Sequence, residues 1–160
     1  MPRNSKELAL DIYTKIEGYV SAQILICIFL GIFYALSFAI IGVPKAIIIG
    51  FFLGFLNIVP YLGLVVGSLL SLVWGVFYFS GWEALMFFGI FVVGQIIENY
   101  YLTPKLVSKR TGLHPLAVFL SIVLGGALLG VLGMVLAVPV AIVAVALLRY
   151  YKIKKSQKSV

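Results

Sequence analysis

Long runs of apolar residues make up most of the chain, and short polar stretches separate them. The run Gly18–Val43 carries no charge and can form one helix across a bilayer, which takes about 20 residues. The next uncharged run, 46–82, is too long for one crossing and is interrupted at 57–63 by NIVPYLG. It therefore predicts a short element over 46–59, which is a tilted helix, a half-helix or a re-entrant arm, and a second helix over 61–80.

Two further apolar regions follow. Residues 84–102 predict one helix, whereas 116–148 would extend for nearly 50 Å as a straight helix at about 1.5 Å per residue. That length favours a hairpin of two helices, or a re-entrant segment followed by a span. Possible breaks are Gly125, Gly126, Gly130, Gly133 and Pro139, and packing explains them equally well.

The ends of the chain differ from its middle. We predict an amphipathic N-terminal helix at 1–17, a transmembrane domain at 18–148 and a basic cytoplasmic tail at 149–160. The fold class expected is therefore all-α: a polytopic transmembrane protein with short, broken or re-entrant helices.

Composition supports this class. The chain is 63% hydrophobic and 11% charged, and its net charge of +7 lies mainly in the two ends and in residues 105–110. Soluble domains are roughly 25% charged, so an integral membrane protein is indicated. Basic residues mark cytoplasmic segments, which places 105–110 and the tail in the cytoplasm. The N-terminus is then inside if 46–59 crosses the membrane and outside if it re-enters. Nucleic-acid binding is not expected.

The segment Gln95–Pro115 holds most of the candidate chemistry. Glu98 follows an apolar run, and Gln95, Glu98 and Asn99 share one face of a helix. A carboxylate inside a membrane is costly and usually faces a partner or a wet cavity, where it can bind a proton or Na⁺. The alternative is an interfacial Glu98 paired with a basic residue at 105, 109 or 110. Pro104 is expected to end or kink the helix.

Three other features are candidates for function or packing. Asn57 and Pro60 interrupt an apolar run, either as a broken-helix transport site or as a plain turn. His114, before Pro115, either titrates or caps a helix. Small residues at every fourth position predict a helix-packing face. They are Gly63, Gly67, Ser71 and Gly75.

Four stretches resemble the AI-2E family, the autoinducer-2 exporter-like permeases. They are GYVSAQ at 18–23, LNIVPYLG at 56–63, QIIENYYLTPKLVSKRTGLHPLAVFLS at 95–121 and GGALLGVLGMVLAVPVA at 125–141. The order and spacing of the last two are similar to the C-terminal half of a member, so the chain resembles a short member or part of a longer one. One departure is Leu64, where the family often has proline.

The resemblance implies a transporter of the cytoplasmic (inner) membrane, crossing it several times. Its expected activity is export of a small polar solute such as the quorum-sensing signal autoinducer-2. Sodium/proton antiport is the alternative, and a membrane scaffold without transport is a third possibility. We expect the partners to be lipid, a small polar solute or a cation (H⁺ or Na⁺), and further copies of the chain. No catalytic motif, metal or cofactor is expected, because the one histidine and one cysteine form no recognisable pair.

Overall fold

The structure is a computed structural model that describes residues 5–78, 81–108 and 111–157. Within these ranges the chain is all-α and contains no strand. The elements are α1 (Ser5–Ile40), α2 (Ala46–Leu56), α3 (Leu62–Tyr78), α4 (Trp82–Ile96), a π-helix (Ile97–Ser108) and α5 (Pro115–Gln157). Lys109, Arg110 and the last three residues of the predicted basic tail lie outside the described ranges.

Among the described residues, three helical stretches are long and apolar enough to cross a membrane. They are Ser5–Ile40, Trp82–Val107 and Leu116–Lys152. By contrast α2 has 11 residues and α3 has 17, or about 16 and 26 Å at 1.5 Å per residue. Both are shorter than the roughly 30 Å hydrocarbon core. The chain is therefore an all-α membrane protein that combines long helices with short ones.

The first helix is continuous across the predicted boundary near Gly18. Its buried positions form a stripe with a spacing of four residues, while apolar side chains elsewhere on it remain exposed. The stripe within 22–40 consists of Ala22, Ile26, Leu30, Tyr34 and Phe38. This face packs against protein, and the exposed apolar remainder suits a hydrocarbon environment.

The chain divides into two compact units, one formed by Met1–Ser21 with Ser108–Val160 and the other by Ala22–Val107. In the second unit α2 lies against α1 through small residues. A side chain added at Gly54 would overlap the backbone of Gly31, and one added at Gly50 would overlap the backbone of Ala35. The pairs Gly31/Ala35 and Gly50/Gly54 are each four residues apart, which allows two helix backbones to approach closely.

Helix α3 packs on both α2 and α4. The small-residue face predicted on α3 meets its neighbours at several points. A side chain at Gly63 would contact Asn57, one at Gly67 would contact the Phe91 ring, and one at Gly75 would contact Ala84. The face therefore packs inside the chain, mainly against α4.

The helix that begins at Trp82 does not end at Pro104, so of the two effects predicted from sequence, an end or a kink, the end is wrong. It changes at Ile97 into a π-helix that continues through Pro104 to Ser108. In an α-helix a proline ring clashes with the carbonyl four residues earlier. The wider π-helix bonds five residues apart instead, and such segments often occur at functional sites.

Helix α5 is broken at Gly130, where φ is 61° and ψ is −141°. The backbones at Gly125 and Gly133 contact each other across the break, although eight residues span about 12 Å along a helix. The chain therefore reverses at Gly130, and this confirms that residues 116–148 do not form one straight helix.

The other four possible break points in α5 do not break it, since only Gly130 has a non-helical backbone there. Gly125 and Gly126 lie inside the first arm, against the backbone of Gly133 and the side chain of Met134, so they serve packing. Pro139 lies inside the second arm, which continues past it to Gln157. At the base of the hairpin Arg149 Nη2 donates to the carbonyl oxygen of Gly112, at 3.4 Å, so both arms end on the same side.

The turn at Gly130 should depend on glycine. Its backbone conformation is one that residues with a side chain adopt only at a cost of about 1–3 kcal/mol. Gly130→Ala should therefore lower the unfolding temperature of the detergent-solubilised protein. Gly89→Ala is the control, because Gly89 is helical and a side chain there has nothing within 4 Å. Equal unfolding temperatures for the two variants would contradict the strained turn.

Candidate functional site

The carboxyl group of Glu98 is buried at the start of the π-helix. The residue is 3% exposed, and Gln95 Nε2 donates to Glu98 Oε2 at 3.3 Å. A buried carboxylate costs several kcal/mol unless hydrogen bonds or an opposite charge compensate it. The structure therefore brings Gln95 and Glu98 together inside the protein, and it does not place Glu98 at an exposed interface.

Tyr34 of α1 extends this hydrogen-bonded group. Its hydroxyl accepts from Gln95 Nε2 at 3.3 Å and donates to the carbonyl oxygen of Phe91 at 3.4 Å. The ring stacks on Phe38 and Phe91, with centroids 5.8 and 5.9 Å apart. Tyr34, Gln95 and Glu98 thus form a chain of polar groups enclosed by aromatic rings.

Asn99 joins the same group from the outside. Its Nδ2 donates to the carbonyl oxygen of Gln95 at 2.9 Å, and the residue is half-buried. Gln95 and Asn99 line a cavity of about 170 Å³ together with Ser68 of α3, with apolar residues of α3 and α4, and with Tyr100. This volume has room for a few water molecules or a small polar group.

No basic side chain neutralises Glu98 in the part of the chain that is described. The salt bridge there joins Lys15 and Asp11, at 2.5 Å, on α1. Lys105, one of the expected partners of Glu98, is exposed. The described residues also hold no group of three His, Cys, Asp or Glu side chains that could bind a metal. A buried carboxylate without a counter-ion is suited to holding and releasing a proton or a small cation.

Asn57 and Pro60 lie at a second buried polar position, between α2 and α3. Asn57 is 1% exposed and follows the last residue of α2. The Nδ2 of Asn57 donates to the carbonyl oxygen of Leu53 at 3.2 Å. The backbone carbonyl oxygen of Asn57 accepts a hydrogen bond from Gln23 Nε2 of α1. Pro60 is buried beside it. The interruption of the apolar run is therefore a packed junction within the same unit as Glu98.

His114 has a different role from Glu98. It is exposed, and its Nδ1 accepts from the backbone N–H of Leu116 at 3.3 Å, immediately before α5 begins at Pro115. A side-chain acceptor at this position caps the helix start, and proline is favoured as the first helical residue. The geometry of His114 is that of a helix cap.

A sequence model of the family described as "AI-2E family transporter" matches residues 1–153. The chain belongs to the AI-2E transporter family. It is 35% identical over 130 residues to YueF of Bacillus subtilis, which covers 81% of this chain and 35% of that protein. It is 28% identical over 145 residues to YrrI of the same species, covering 90% of this chain and 41% of that protein. Both carry the name "Putative transport protein".

A third relative of this AI-2E chain comes from Thermotoga maritima, with 32% identity over 140 residues that cover 86% of the chain and 43% of the relative. The chain thus spans less than half the length of these curated relatives. No solved structure matches it.

Two polar residues of the AI-2E chain were missed from the sequence, namely Gln23 and Tyr34. Each lies in the long apolar run of α1, and their partners are 34 and 61 residues away in sequence. A signal for both exists, since they are eleven residues apart and fall within about 20° of each other around a helix. Each residue stands among apolar neighbours in the sequence, so this face is less conspicuous than the polar segments between the apolar runs.

Proposed function

We propose that this chain takes part in the export of a small polar solute, such as autoinducer-2, across the cytoplasmic membrane. The family supports membrane transport as the general activity. The chain would cross the membrane several times, because its long helices have the length and the apolar composition that a crossing needs. Association with further copies through exposed apolar helix faces is part of the same proposal.

One observation carries the proposal: Glu98 is buried, hydrogen-bonded by Gln95 and without a counter-ion in the described residues. A charged residue inside a membrane costs about 2.5–3.5 kcal/mol on insertion scales, so a purely structural position favours an apolar residue. A scaffold would instead keep its polar groups towards the headgroups. The burial of both Glu98 and Asn57 supports transport over a scaffold.

The cavity beside Gln95 and Asn99 suggests how a solute would be recognised. Carboxylate and amide oxygens accept hydrogen bonds from hydroxyl groups. A small solute with several hydroxyl groups would therefore find acceptors on Gln95 and Asn99, with the ring of Phe91 as an apolar wall. Ligand sites of this kind combine a few polar groups with a largely apolar lining.

Sodium/proton antiport is the second candidate, and the acceptor-rich surroundings of Glu98 favour it. A carboxylate with nearby amide oxygens can bind either a proton or Na⁺, which prefers oxygen ligands. In this case the ion would replace the solute at the same position, and Glu98 would carry the exchange.

Reconstitution of the full-length protein in proteoliposomes tests the two candidates. Vesicles loaded with autoinducer-2 should release it faster than protein-free vesicles, with or without a Na⁺ gradient. A pH-sensitive dye inside parallel vesicles should show no sodium-driven proton movement. A dye response without solute release would replace export by antiport. The absence of both signals would favour a scaffold without transport.

A further inference from the structure

The junction of Gln23 and Asn57 presents oxygen atoms that have no partner. Gln23 is 3% exposed and Asn57 is 1% exposed. Gln23 Oε1 and Asn57 Oδ1 are both enclosed by protein and accept no hydrogen bond from the described residues. A buried polar atom left in this state costs about 1–3 kcal/mol, so these two oxygens require a donor.

The hydrogen bonds that the amide nitrogens of Gln23 and Asn57 donate fix the orientation of both amide groups. Gln23 Nε2 faces the carbonyl oxygen of Asn57, and Asn57 Nδ2 faces the carbonyl oxygen of Leu53. Exchanging oxygen and nitrogen in either amide would oppose two oxygens. Gln95 is arranged in the same way, because its Nε2 faces Tyr34 and Glu98 while its Oε1 has no partner.

These oxygens lie along one side of α1. Gln23, Cys27 and Tyr34 are separated by four and seven residues and therefore share a face. Helix α4 runs antiparallel to α1 on this face, since Phe87 stacks on Phe38 and Gln95 bonds to Tyr34.

Glu98 lies between the two amide groups in this register. It is one turn beyond Gln95 in the direction of Cys27, since Gln95 and Phe91 both meet Tyr34 and the helices run antiparallel. Gln23 is one turn further along α1. The sequence of groups on this face is therefore Gln23 with Asn57, then Cys27, then Glu98 with Gln95.

We propose that a file of water molecules runs along this face from the Gln23–Asn57 junction to Glu98 and brings protons to its carboxylate. Water suits the position because each molecule donates two hydrogen bonds and the unpartnered atoms are all acceptors. This inference rests on the proposed function, in which Glu98 takes part in transport. In each transfer a hydronium ion gives one proton to the Glu98 carboxylate and leaves as water, and release reverses the step.

The other titratable groups of this unit leave Glu98 as the proton acceptor. Cys27 and Tyr34 of α1 face the same interior. Lys45, Glu83 and Lys105 are exposed. Glu98 is therefore the one buried carboxyl group of residues 22–107.

The native cysteine provides the test, because Cys27 is the only cysteine in the sequence and lies between the two polar groups. In proteoliposomes and chloride-free buffer, Ag⁺ is a thiol-reactive cation small enough to travel through a file of water, and when present on both sides it should label Cys27. Gln23→Met and Asn57→Leu should each slow labelling at least tenfold at the same pH. Ile24→Cys in a Cys27→Ser background is the control, since residue 24 is 50% exposed on the apolar face and should not react.

Several results would overturn the water file. Absence of labelling at Cys27 is one, and unchanged labelling in both variants is another. Protection by millimolar Na⁺ but not by choline would identify a cation site instead. Because labelling requires no flux, normal labelling in a protein that transports nothing would overturn only the proposed function.

A second measurement uses the unchanged interior, in case the variants fail to fold. At a pH low enough to protonate Glu98, its carboxyl infrared band is identified by its loss in Glu98→Gln. On transfer to D₂O this band should shift within minutes if water reaches the carboxyl group. A shift that takes hours would contradict the proposal.

Discussion

Glu98→Gln should insert normally into the membrane and lose most of its transport activity, with flux lowered by about tenfold or more. Glutamine preserves the size of the side chain and can still bond to Gln95, which donates to the carboxylate at 3.3 Å. It cannot hold a charge or exchange a proton. The pH dependence of the remaining flux should therefore also differ from that of the wild-type protein.

The matched control for this variant is Glu83→Gln. Glu83 lies in the first turn of α4 and is exposed, so removing its charge should leave flux within about twofold, as usual for exposed substitutions. Flux would be measured in proteoliposomes of equal protein content, and insertion would be followed by membrane extraction. Wild-type flux in Glu98→Gln would reduce Glu98 to a structural residue.

Gly54→Leu should strongly destabilise the packing of α2 on α1. A side chain there overlaps the backbone of Gly31, and a helix backbone cannot move aside as a side chain can. Overpacking costs about 1–3 kcal/mol and occasionally more, which corresponds to roughly 2–12 °C in unfolding temperature for a chain of this size. We expect a result at the upper end of this range.

Two control variants separate this effect from the general cost of a large residue. Gly89→Leu adds the same side chain at a helical position with nothing within 4 Å and should leave the unfolding temperature nearly unchanged. Gly67→Leu meets the Phe91 ring, which can shift, so its effect should be intermediate. If Gly54→Leu unfolds at the same temperature as Gly89→Leu, the close contact of α1 and α2 does not stabilise the fold.

The helices and their interruptions follow from apolar length and from glycine and proline positions. The break between α2 and α3 at NIVPYLG and the reversal inside α5 are both predicted, because each apolar run exceeds the thickness of a bilayer. The class of protein follows from the composition, which is 63% hydrophobic and only 11% charged. These features depend on local sequence and on one external length, so no tertiary contact is needed to infer them.

The partners of the polar residues do not follow in the same way. Glu98 is a clear candidate from sequence, but its partner Gln95 also bonds to Tyr34, which belongs to α1 and lies 61 residues before Gln95. Which faces of α1 and α4 meet depends on tertiary packing, including the small residues that bring α2 against α1. The π-helix is a second feature that the sequence does not reveal. The rule for proline in α-helices predicts an end or a kink at Pro104, whereas the helix continues through it to Ser108.

The hairpin at Gly130 has a consequence for counting sides of the membrane. A hairpin that enters the membrane and returns contributes an even number of passages, so residues 111 and 149 would then share one compartment, in agreement with the bond between Arg149 and Gly112. Whether the two ends of the chain lie on the same side of the membrane would then depend on the number of crossings before residue 108. A reporter fused after residue 160 would therefore also report the side of the membrane on which residue 111 lies.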